Sequence, residues 1–447
     1  MRKIYICFLI LIGLHFFILM KLQFTAWPEM FSFPYMVNHG FLIYKDFHHA
    51  YQPLLTIILS FVYKTFGYKL LTLEIFTWLV ILASDLLIFL ISFKMLGKKL
   101  SSLIPMIIFI TLQPFFEGNM LWFDLATLPF ILASIYFLFD KKYFWSGIFI
   151  ALAILVKQQI VIFLIGYFIY FWIKKINLRR FVKFTVGGLI PVTATLVIFF
   201  VNGALMDYFF WTLIFPLKYL PTIPGYAIFP TTKQVLTLAF MISPLLLISK
   251  KADRTSENIF LGILLVAAIL SSLPRFSYFH LQPMIGIYSI FISGFVLPKG
   301  RLFLLLIPFA IFLYIFKQNV MLLNLPPRFY DAALQEFSDL VDQNVSKGQK
   351  LYLLGPNSLV YVLAGRIPAK PWIENYVWHF EVPGMQEKML AGWKLDPPDV
   401  VVWSDSKPGN WFDIGTYEPR EITDWIRKNY IRSKELETGI WLWRLQK

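Results

Sequence analysis

The sequence predicts an α-helical, multi-span membrane protein of about 11 transmembrane helices with a small extracytoplasmic α/β domain at its C-terminus. Three observations predict this fold class. Of the 447 residues, 58% are hydrophobic and only 15% are charged, and the mean hydropathy of +0.65 is too high for an ordinary soluble domain. Long apolar segments recur as far as residue 324. Beyond that point the aliphatic runs end, and 16 of the 26 acidic residues follow, which indicates a domain boundary.

Apolar runs near the length that a bilayer requires are the candidate spans, about 20 residues each and fewer inside a bundle. They lie near 4–22, 70–93, 103–116, 120–139, 143–156, 159–173, 181–201, 233–249, 259–273, 279–297 and 302–316. The run 53–66 is apolar but short, and we interpret it as an interfacial or re-entrant helix. These segments define a transmembrane domain at 1–324, with a first outer loop at 23–69.

The distribution of basic residues predicts the orientation, because cytoplasmic loops are enriched in lysine and arginine. If 53–66 does not span, 17 of the 26 basic residues in 1–324 lie on one side, taken as cytoplasmic, and nine lie on the other. Counting 53–66 as a span would export most of these lysines. The 17 residues are Arg2, Lys3, Lys94, Lys98, Lys99, Lys141, Lys142, Lys174, Lys175, Arg179, Arg180, Lys183, Lys250, Lys251, Arg254, Lys299 and Arg301. We therefore expect a cytoplasmic-membrane protein with its N-terminus inside and its C-terminal domain outside.

The net charge of +15 belongs to the membrane part, so it does not predict binding of nucleic acid. The chain has no P-loop, Rossmann glycine fingerprint, HExxH or Asp-x-Asp pair. These absences argue against ATP-driven transport, nicotinamide chemistry and a metal-held nucleotide sugar. Its single cysteine, Cys7, excludes a disulfide framework and a thiolate metal cluster.

Residues 325–447 are predicted to form the α/β domain, because helical and strand patterns alternate there. We expect a helix over 330–345, buried strands at 350–355 and 399–403, helices near 385–393 and 420–429, and a closing hairpin near 431–445.

The stretch from Trp27 to Leu55, after the first span, is the candidate active-site loop. It places two acids, Glu29 and Asp46, among many aromatic residues beside a membrane, where a carboxylate is costly unless it meets water or a partner. The alternative is that both are solvated loop carboxylates. The adjacent His48 and His49 point in different directions on a helix or a strand, so we expect no metal site there.

The same loop carries a recognisable order of residues. An acid soon after the first span is followed by Gly-x-x-x-Tyr-Lys-Asp-Phe, by Pro-Leu-Leu and by a helix that ends in Phe-Gly. This order resembles the GT-C superfamily of integral-membrane glycosyltransferases, in particular the bacterial family 39 and the arabinose- or mannose-transferase-like group. The residues that carry the resemblance are Glu29, Gly40, Tyr44, Lys45, Asp46, Phe47, Pro53, Leu54, Phe66 and Gly67, then Gly147 to Gln158, Arg275 to Pro283, and the pieces that begin at Tyr361 and Asp396. The family usually has Asp, often Asp-Glu, where this chain has Pro28-Glu29, and Pro-Pro-Leu where it has Gln52-Pro53-Leu54.

The resemblance implies a transferase that passes a sugar from a polyprenyl-phosphate donor on the outer leaflet to an acceptor hydroxyl, with inversion. It implies a carboxylate base, which is Glu29 by its position as the first acid. Asp46 is the alternative, or a second carboxylate that orients the acceptor or the sugar. No nucleotide or other cofactor is expected, and metal dependence is not expected either. The sugar remains open, as does the acceptor, which is a protein, a lipid or a glycan.

Cations near the outer ends of spans are the candidate ligands of the donor phosphate, because such a leaving group needs positive charge and no general acid. Arg275 is the first candidate, since guanidinium binds phosphate in a bidentate way, and Lys157 is the second. For both, the alternative is contact with lipid headgroups. His280 is a further phosphate or sugar ligand, or a packing residue.

Glu117 and Asp124 bracket the outer hairpin between the third and fourth predicted spans, and they are candidate cavity acids. The alternative for Asp124 is a helix cap. An aromatic outer loop contains candidate residues for binding the isoprenoid tail. The alternative is an ordinary aromatic belt at the membrane interface. Its aromatic residues are Trp211, Phe215, Tyr219, Tyr226 and Phe229.

The rival function is a multi-span transporter or lipid flippase, which predicts paired broken helices and charges at mid-bilayer. Only Asp85 is clearly in the middle of a span. We interpret its side chain as forming a structural hydrogen bond to a neighbouring helix. A second rival, a membrane anchor that presents 325–447 to a partner, leaves the acidic outer loop unexplained.

Overall fold

The computed structural model describes residues 2–97, 99–249, 255–296, 301–406 and 416–446. Most of these residues are helical, and one small sheet of four strands lies in the C-terminal part. Five of the basic residues that predict the orientation lie outside the described residues, namely Lys98, Lys250, Lys251, Arg254 and Lys299.

The α-helices of the described chain are Arg2–Lys21 (α1), Glu29–Asn38 (α2), Leu54–Phe66 (α3), Leu70–Leu96 (α4), Ile104–Leu112 (α5), Phe123–Phe139 (α6), Tyr143–Val156 (α7), Leu164–Ile173 (α8), Leu178–Val201 (α9), Leu205–Phe209 (α10), Thr232–Ile242 (α11), Ser256–Leu270 (α12), Gln282–Val296 (α13), Leu306–Asn319 (α14), Ala332–Asn344 (α15), Leu359–Leu363 (α16), Val377–Phe380 (α17), Met385–Leu395 (α18) and Arg420–Asn429 (α19). Short 3₁₀ or π segments adjoin several of them, as at Pro114–Gly118, Gln158–Phe163, Phe210–Tyr219 and Tyr278–Leu281.

As far as its residues are described, each of the eleven predicted spans coincides with a helix or a helix extended by a 3₁₀ or π segment, and residue 297 of the span 279–297 lies outside the described residues. Within the described parts of the chain, four helical stretches are both long and apolar enough to cross a bilayer by themselves, at Arg2–Lys21, Leu70–Leu96, Leu178–Val201 and Leu302–Leu322. The prediction of a multi-pass helical membrane protein is therefore confirmed, whereas the number of eleven spans stays a prediction.

The chain divides into two compact units, and neither is a continuous segment. The first unit comprises Met1–Thr25, Leu73–Val197 and Ala227–Pro327, and the second comprises Ala26–Thr72, Ile198–Tyr226 and Arg328–Lys447. We call them the helical unit and the mixed unit. The predicted division at residue 324 stays a prediction.

The helical unit is held by close helix packing around a large apolar core. A Cβ atom added at Gly147 of α7 would lie 2.0 Å from the Phe184 carbonyl oxygen of α9, and one added at Gly187 would lie 2.1 Å from the Phe144 carbonyl oxygen. Glycine at these positions allows the two backbones to touch, as is common between membrane helices.

Asp85 lies in the middle of α4 and is fully buried in the helical unit. Its Oδ2 atom is 2.7 Å from Nδ1 of His15 on α1, and the other ring nitrogen of His15 is 3.1 Å from Gln113 Oε1. The prediction that the Asp85 side chain forms a hydrogen bond to a neighbouring helix is confirmed.

The sheet of the mixed unit has the strand order β1-β2-β4-β3. β1 (Leu351–Leu354) pairs in parallel with β2 (Val400–Ser404), and both strands are buried along their whole length. The hairpin of β3 (Tyr430–Glu437) and β4 (Ile440–Leu445) continues the sheet in antiparallel pairing. The predicted strands, the hairpin and the helices around them are confirmed. The long connection from β1 to β2 crosses from one parallel strand to the next and carries α16, α17 and α18.

The predicted active-site loop is not wholly a loop, because α2 occupies Glu29–Asn38 within it. Every side chain from Glu29 to Met36 is buried. A helix that is buried all round shows no alternation of apolar and polar faces, so its periodicity is absent from the sequence. The run 53–66 forms a helix, α3, and its interfacial or re-entrant position stays a prediction.

Candidate active site

Glu29 begins α2, directly after Pro28, and its side chain is almost fully buried. Its Oε1 atom accepts a hydrogen bond of 3.0 Å from the Tyr376 hydroxyl, which lies on the β1–β2 connection. Its Oε2 atom has no hydrogen-bond partner in the described part of the chain. Burial raises the pKa of Glu29, and the hydrogen bonds oppose this only in part. Glu29 is therefore a buried carboxyl group with one oxygen atom able to accept a proton.

Glu374 is a second buried acid, which the sequence analysis did not single out. Both of its carboxyl oxygen atoms lack a hydrogen-bond partner among the residues the structure describes. The Ser358 hydroxyl lies beside this carboxyl, but it donates instead to the Ser32 hydroxyl, at 3.2 Å. Burial and the neighbouring charge of Glu29 together raise the pKa of Glu374 to about 8. Burial without a cationic partner therefore favours the neutral form of the Glu374 carboxyl group.

Asp46 has a different environment, since its carboxylate is paired. Its Oδ2 atom is 2.8 Å from Nζ of Lys370 and accepts a hydrogen bond of 2.9 Å from the Leu42 amide. The Asp46 carbonyl oxygen also accepts a hydrogen bond of 2.8 Å from the Trp372 amide. These contacts fix the turn of the first outer loop against the β1–β2 connection.

The two predicted acids thus lie in the same mixed unit but have separate partners. Glu29 contacts Tyr376, whereas Asp46 contacts Lys370. Of the two, Glu29 has the buried oxygen atom without a partner.

Histidines of the same unit form a neutral pair. The rings of His48 and His379 lie 3.6 Å apart between centroids, and the His48 ring also meets the Trp211 ring edge-on at 4.1 Å. Burial lowers the pKa of His379 to about 3 and holds that of His48 well below its ordinary value. His49 contacts instead the Thr56 hydroxyl at 2.8 Å and the Tyr51 carbonyl oxygen at 2.7 Å. The adjacent histidines therefore make separate contacts, as the sequence predicted.

In the helical unit, Asp124 brings two of the predicted phosphate ligands together. Its Oδ1 atom is 2.5 Å from Lys157 Nζ, and its Oδ2 atom is 2.6 Å from His280 Nδ1. Lys157 also donates to the Ser271 carbonyl oxygen, at 3.2 Å. Two alternatives from the sequence are wrong: Asp124 does not cap α6, and the buried Lys157 does not reach toward lipid headgroups.

Glu117 lies in the π-helical segment Pro114–Gly118, with a positive φ of 52°. Its carboxylate accepts hydrogen bonds from the Ser277 hydroxyl at 2.9 Å and from the Phe279 amide at 3.3 Å. Arg275 lies in the loop before Ser277, half-buried, where its backbone forms a bridge with Ile228. Glu117, Arg275 and His280 are thus grouped around one short loop of the helical unit.

Sequence reasoning missed Glu374, Tyr376 and His379. The signal was present in the stretch Trp372–Phe380, where one acid and one histidine lie among aromatic residues, as they do in the first outer loop. Nothing in the local pattern indicates which residues across the chain they contact.

Comparison with solved structures shows which known proteins share the fold of this chain. The fold matches ArnT from Cupriavidus metallidurans, crystallised with undecaprenyl phosphate, with a TM-score of 0.62 and 10% sequence identity, over 98% of this chain and 97% of that chain. The apo form of the same protein gives a TM-score of 0.61 at the same identity and coverage. The oligosaccharyltransferase of Archaeoglobus fulgidus, in complex with zinc and sulfate, gives a TM-score of 0.46 at 12% identity, over 86% of this chain and 64% of that chain.

No family model matches the sequence, and no curated protein matches it. At 10% identity the likeness establishes the fold, and the chemistry has to be argued from this chain's own residues.

Proposed function

We propose that this protein is a membrane glycosyltransferase that moves a sugar from a polyprenyl-phosphate donor to an acceptor hydroxyl, with inversion at the anomeric carbon. The observation that carries the proposal is Glu29, a buried carboxyl group with one unpaired oxygen atom and a raised pKa. It stands at the first-acid position of a chain whose fold matches that of a protein crystallised with undecaprenyl phosphate.

The chemistry needs one base. An acceptor hydroxyl is a weak nucleophile, and a carboxylate in a dry site becomes a stronger base as its pKa rises toward neutral pH. Glu29 removes the hydroxyl proton while the acceptor oxygen bonds to the anomeric carbon. The bond from that carbon to the phosphate oxygen breaks, and polyprenyl phosphate leaves with the electron pair. Asp46, paired with Lys370, is the alternative base or orients the acceptor or sugar.

The leaving phosphate needs cations and hydrogen-bond donors. Arg275 is our first candidate because its guanidinium group binds phosphate in a bidentate way. Lys157 and His280 are further candidates, held in place by Asp124. Glu117 and Asp124 are then the acids that shape this part of the helical unit. The proposal requires no metal, since the leaving group is stable as an anion.

The proposed location follows from the basic loops. Eleven spans would place the N-terminus in the cytoplasm, and the first outer loop and the C-terminal domain on the outer face of the cytoplasmic membrane. The sugar is a hexose or a pentose, and the acceptor is a protein, a lipid or a glycan.

The test is sugar transfer by the full chain in lipid vesicles, offered a panel of radiolabelled polyprenyl-phosphate sugars with and without a chelator. We expect transfer or slow hydrolysis of one donor, unchanged by the chelator. Glu29→Gln should lower kcat by about 10²- to 10⁴-fold, the usual contribution of a general base. Asp46→Asn should cost less.

Glu387→Gln, an exposed acid on α18, is the matched control and should keep wild-type activity. Near wild-type turnover by Glu29→Gln together with loss in Asp46→Asn would move the base to Asp46. If no donor is turned over while lipid crosses the bilayer, the glycosyltransferase proposal is wrong.

A further inference from the structure

A polar network lies inside the apolar core of the helical unit. It joins His15 of α1, Asp85 of α4 and Gln113, which directly follows α5, and all three side chains are fully buried. His15 Nδ1 is 2.7 Å from Asp85 Oδ2, and His15 Nε2 is 3.1 Å from Gln113 Oε1. Polar side chains are costly in the middle of membrane helices, so a linked set of them is a candidate for a functional role.

The orientation of the Gln113 amide group is fixed by the backbone that follows it. Its Nε2 atom donates a hydrogen bond of 2.9 Å to the Gly118 carbonyl oxygen. The opposite orientation would place two acceptor oxygen atoms, Gln113 Oε1 and the Gly118 carbonyl, against each other. Gln113 Oε1 therefore faces the His15 ring. Since an amide oxygen only accepts hydrogen bonds, His15 Nε2 has to carry a hydrogen.

The other side of the His15 ring also needs a hydrogen. A contact of 2.7 Å between Nδ1 and a carboxyl oxygen of Asp85 is a hydrogen bond, with the hydrogen on one atom or the other. His15 and Asp85 together therefore hold two protons, either as imidazolium and carboxylate or as two neutral groups. In both cases the pair has no net charge, which is the state that a membrane interior favours.

Gln113 also holds the segment Pro114–Gly118, in which Glu117 lies. A Cβ atom added at Gly118 would lie 2.4 Å from Gln113 Nε2, so the segment winds closely around this side chain. Glu117 has a positive φ of 52°, a left-handed conformation that a residue other than glycine keeps only where its surroundings impose it. The hydrogen bond from Gln113 to Gly118 closes a turn that contains Glu117, and it is one of the contacts that impose this conformation.

Glu117 in turn fixes the loop that carries two candidate phosphate ligands, Arg275 and His280. Its carboxylate accepts hydrogen bonds from the Ser277 hydroxyl at 2.9 Å and from the Phe279 amide at 3.3 Å, between those two residues. A continuous series of contacts thus leads from the buried histidine to the candidate phosphate site.

We propose that His15 and Gln113 are positioning residues, which hold Glu117 and, through it, the loop 275–280 in the arrangement that binds the donor phosphate. Asp85 supplies the partner that keeps His15 in a neutral pair. The inference rests on the proposed function for its catalytic consequence, whereas the network itself can be tested without a sugar donor. Because His15 and Gln113 act through Glu117, their loss should weaken donor binding more than it slows the chemical step.

The first experiment locates the hydrogens, by nuclear magnetic resonance of the ring nitrogens in the full chain labelled at histidine. The chain has six histidines, and the His15 signals are assigned by their loss in His15→Phe. We expect a hydrogen on His15 Nε2 in the wild type. It should persist in Asp85→Asn, since the amide group of asparagine can donate to Nδ1. A His15 Nε2 atom without a hydrogen overturns the network.

The second experiment measures amide hydrogen exchange in the peptide that contains Phe279. Gln113→Leu and His15→Phe each replace a polar side chain by an apolar one of similar size, and the new ring can keep the edge-to-face contact that His15 makes with Phe109. We expect faster exchange at Phe279 in both variants, because its acceptor, Glu117, is no longer held in place. The two variants remove different members of the network, so a folding defect in one leaves the other as the test.

Tyr167→Phe is the matched control for hydrogen exchange. It removes a buried hydroxyl that donates to the Ser134 hydroxyl at 2.6 Å, elsewhere in the same unit. Exchange at Phe279 should be unchanged in this control. If exchange is also unchanged in Gln113→Leu and His15→Phe, the positioning role is wrong.

The third experiment measures kcat and KM with an active donor. Gln113→Leu and His15→Phe should raise KM for the donor by about 10- to 100-fold, as misplacement of a binding group does, with a smaller change in kcat. Combining Gln113→Leu with Glu117→Gln should cost no more than the worse single change, because both act on one loop. Asp85→Asn and Tyr167→Phe should keep the wild-type KM.

The outcomes separate the two proposals. Additive losses in Gln113→Leu and Glu117→Gln, or a KM for Asp85→Asn as high as that of Gln113→Leu, would contradict positioning through Glu117. If no donor is turned over, the proposed function fails, while hydrogen exchange and magnetic resonance still decide whether the network holds Glu117.

Discussion

At the scale of single residues, what distinguishes the acids of this chain is the partner that each one has. Asp46 forms an ion pair with a lysine, and Asp124 contacts both a lysine and a histidine. Glu29 accepts a hydrogen bond from a tyrosine, and its other carboxyl oxygen atom has no partner in the described residues. Acids that look equivalent in the sequence therefore differ in what they can do, since pairing with a cation stabilises the ionised form and burial without one destabilises it.

The Asp124–Lys157 contact is a buried ion pair, with side chains 0% and 3% exposed, so removing one partner leaves an uncompensated buried charge. We expect Asp124→Asn to destabilise the protein by about 3–5 kcal/mol, and Lys157→Met to do so similarly. The double variant should be more stable than Asp124→Asn, while donor turnover stays low. Thermal unfolding in detergent checks this.

Asp140→Asn is the matched control, because its partners Lys94 and Lys142 are 33% and 57% exposed and such pairs contribute about 1 kcal/mol or less each. A double variant no more stable than the worse single variant would contradict the compensation between Asp124 and Lys157.

At the scale of elements, the β1–β2 connection carries the residues that complete the candidate site. Trp372 donates from its amide to the Asp46 carbonyl oxygen, and His48 donates from its amide to the Trp372 carbonyl oxygen at 3.4 Å, which forms a parallel bridge between Phe47 and Trp372. A two-stranded contact of this kind holds the outer loop and the connection in one register, and the side chain of Lys370 adds an ion pair to it.

The Lys370–Asp46 pair is partly solvated, with side chains 44% and 23% exposed, so its contribution to stability is about 1 kcal/mol or less. We expect Lys370→Met to leave the thermal midpoint nearly unchanged, but to speed amide hydrogen exchange at His48 and Trp372, because the bridge loses one anchor. Mass spectrometry of hydrogen exchange measures both peptides.

Lys388→Met, which breaks the exposed contact of Lys388 with Asp207, is the control and should leave exchange at the bridge unchanged.

Since Asp46→Asn breaks the same pair as Lys370→Met, equal losses of turnover would assign Asp46 a structural role. Loss in Asp46→Asn alone would assign it a chemical role. Unchanged exchange at both amides would show that the ion pair does not support the bridge.

At the scale of the whole molecule, the chain contributes to each compact unit from three separate segments. The mixed unit takes the first outer loop, residues 198–226 and the C-terminal part, so the C-terminal residues are integral to the unit that contains Glu29. This arrangement explains why Glu29 and Tyr376 meet although 347 positions separate them in sequence.

The predicted orientation has a direct test in the full chain, after Cys7→Ala removes the single native cysteine. Glu336→Cys on α15 should react with a membrane-impermeant maleimide in intact cells, because the C-terminal domain is expected outside. Arg179→Cys, in the first turn of α9, should react only after permeabilisation. Both positions are exposed in the structure. The opposite labelling pattern would place the proposed active site in the cytoplasm.

What the sequence by itself determined are the features that depend on local pattern. The apolar runs predicted a helix at each proposed span, and apolar strands with turn residues predicted the sheet around Leu351 and Val400. The sequence also indicated Glu29 and Asp46 as candidate site residues, because both lie in the aromatic first outer loop and that loop resembles the GT-C superfamily. These features follow from hydropathy, periodicity and short motifs. Such signals are formed by residues that are close together in the sequence, so they can be read without the tertiary structure.

Only the tertiary structure decided which acid is unpaired and which residues surround it. Helix α2 escaped the sequence analysis because burial on all sides removes its periodicity. Glu374 escaped it because its raised pKa arises from burial and from the charge of Glu29, which is distant in sequence. The charge state of a carboxyl group depends on what folding places beside it, and this depends on long-range contacts that no local pattern contains.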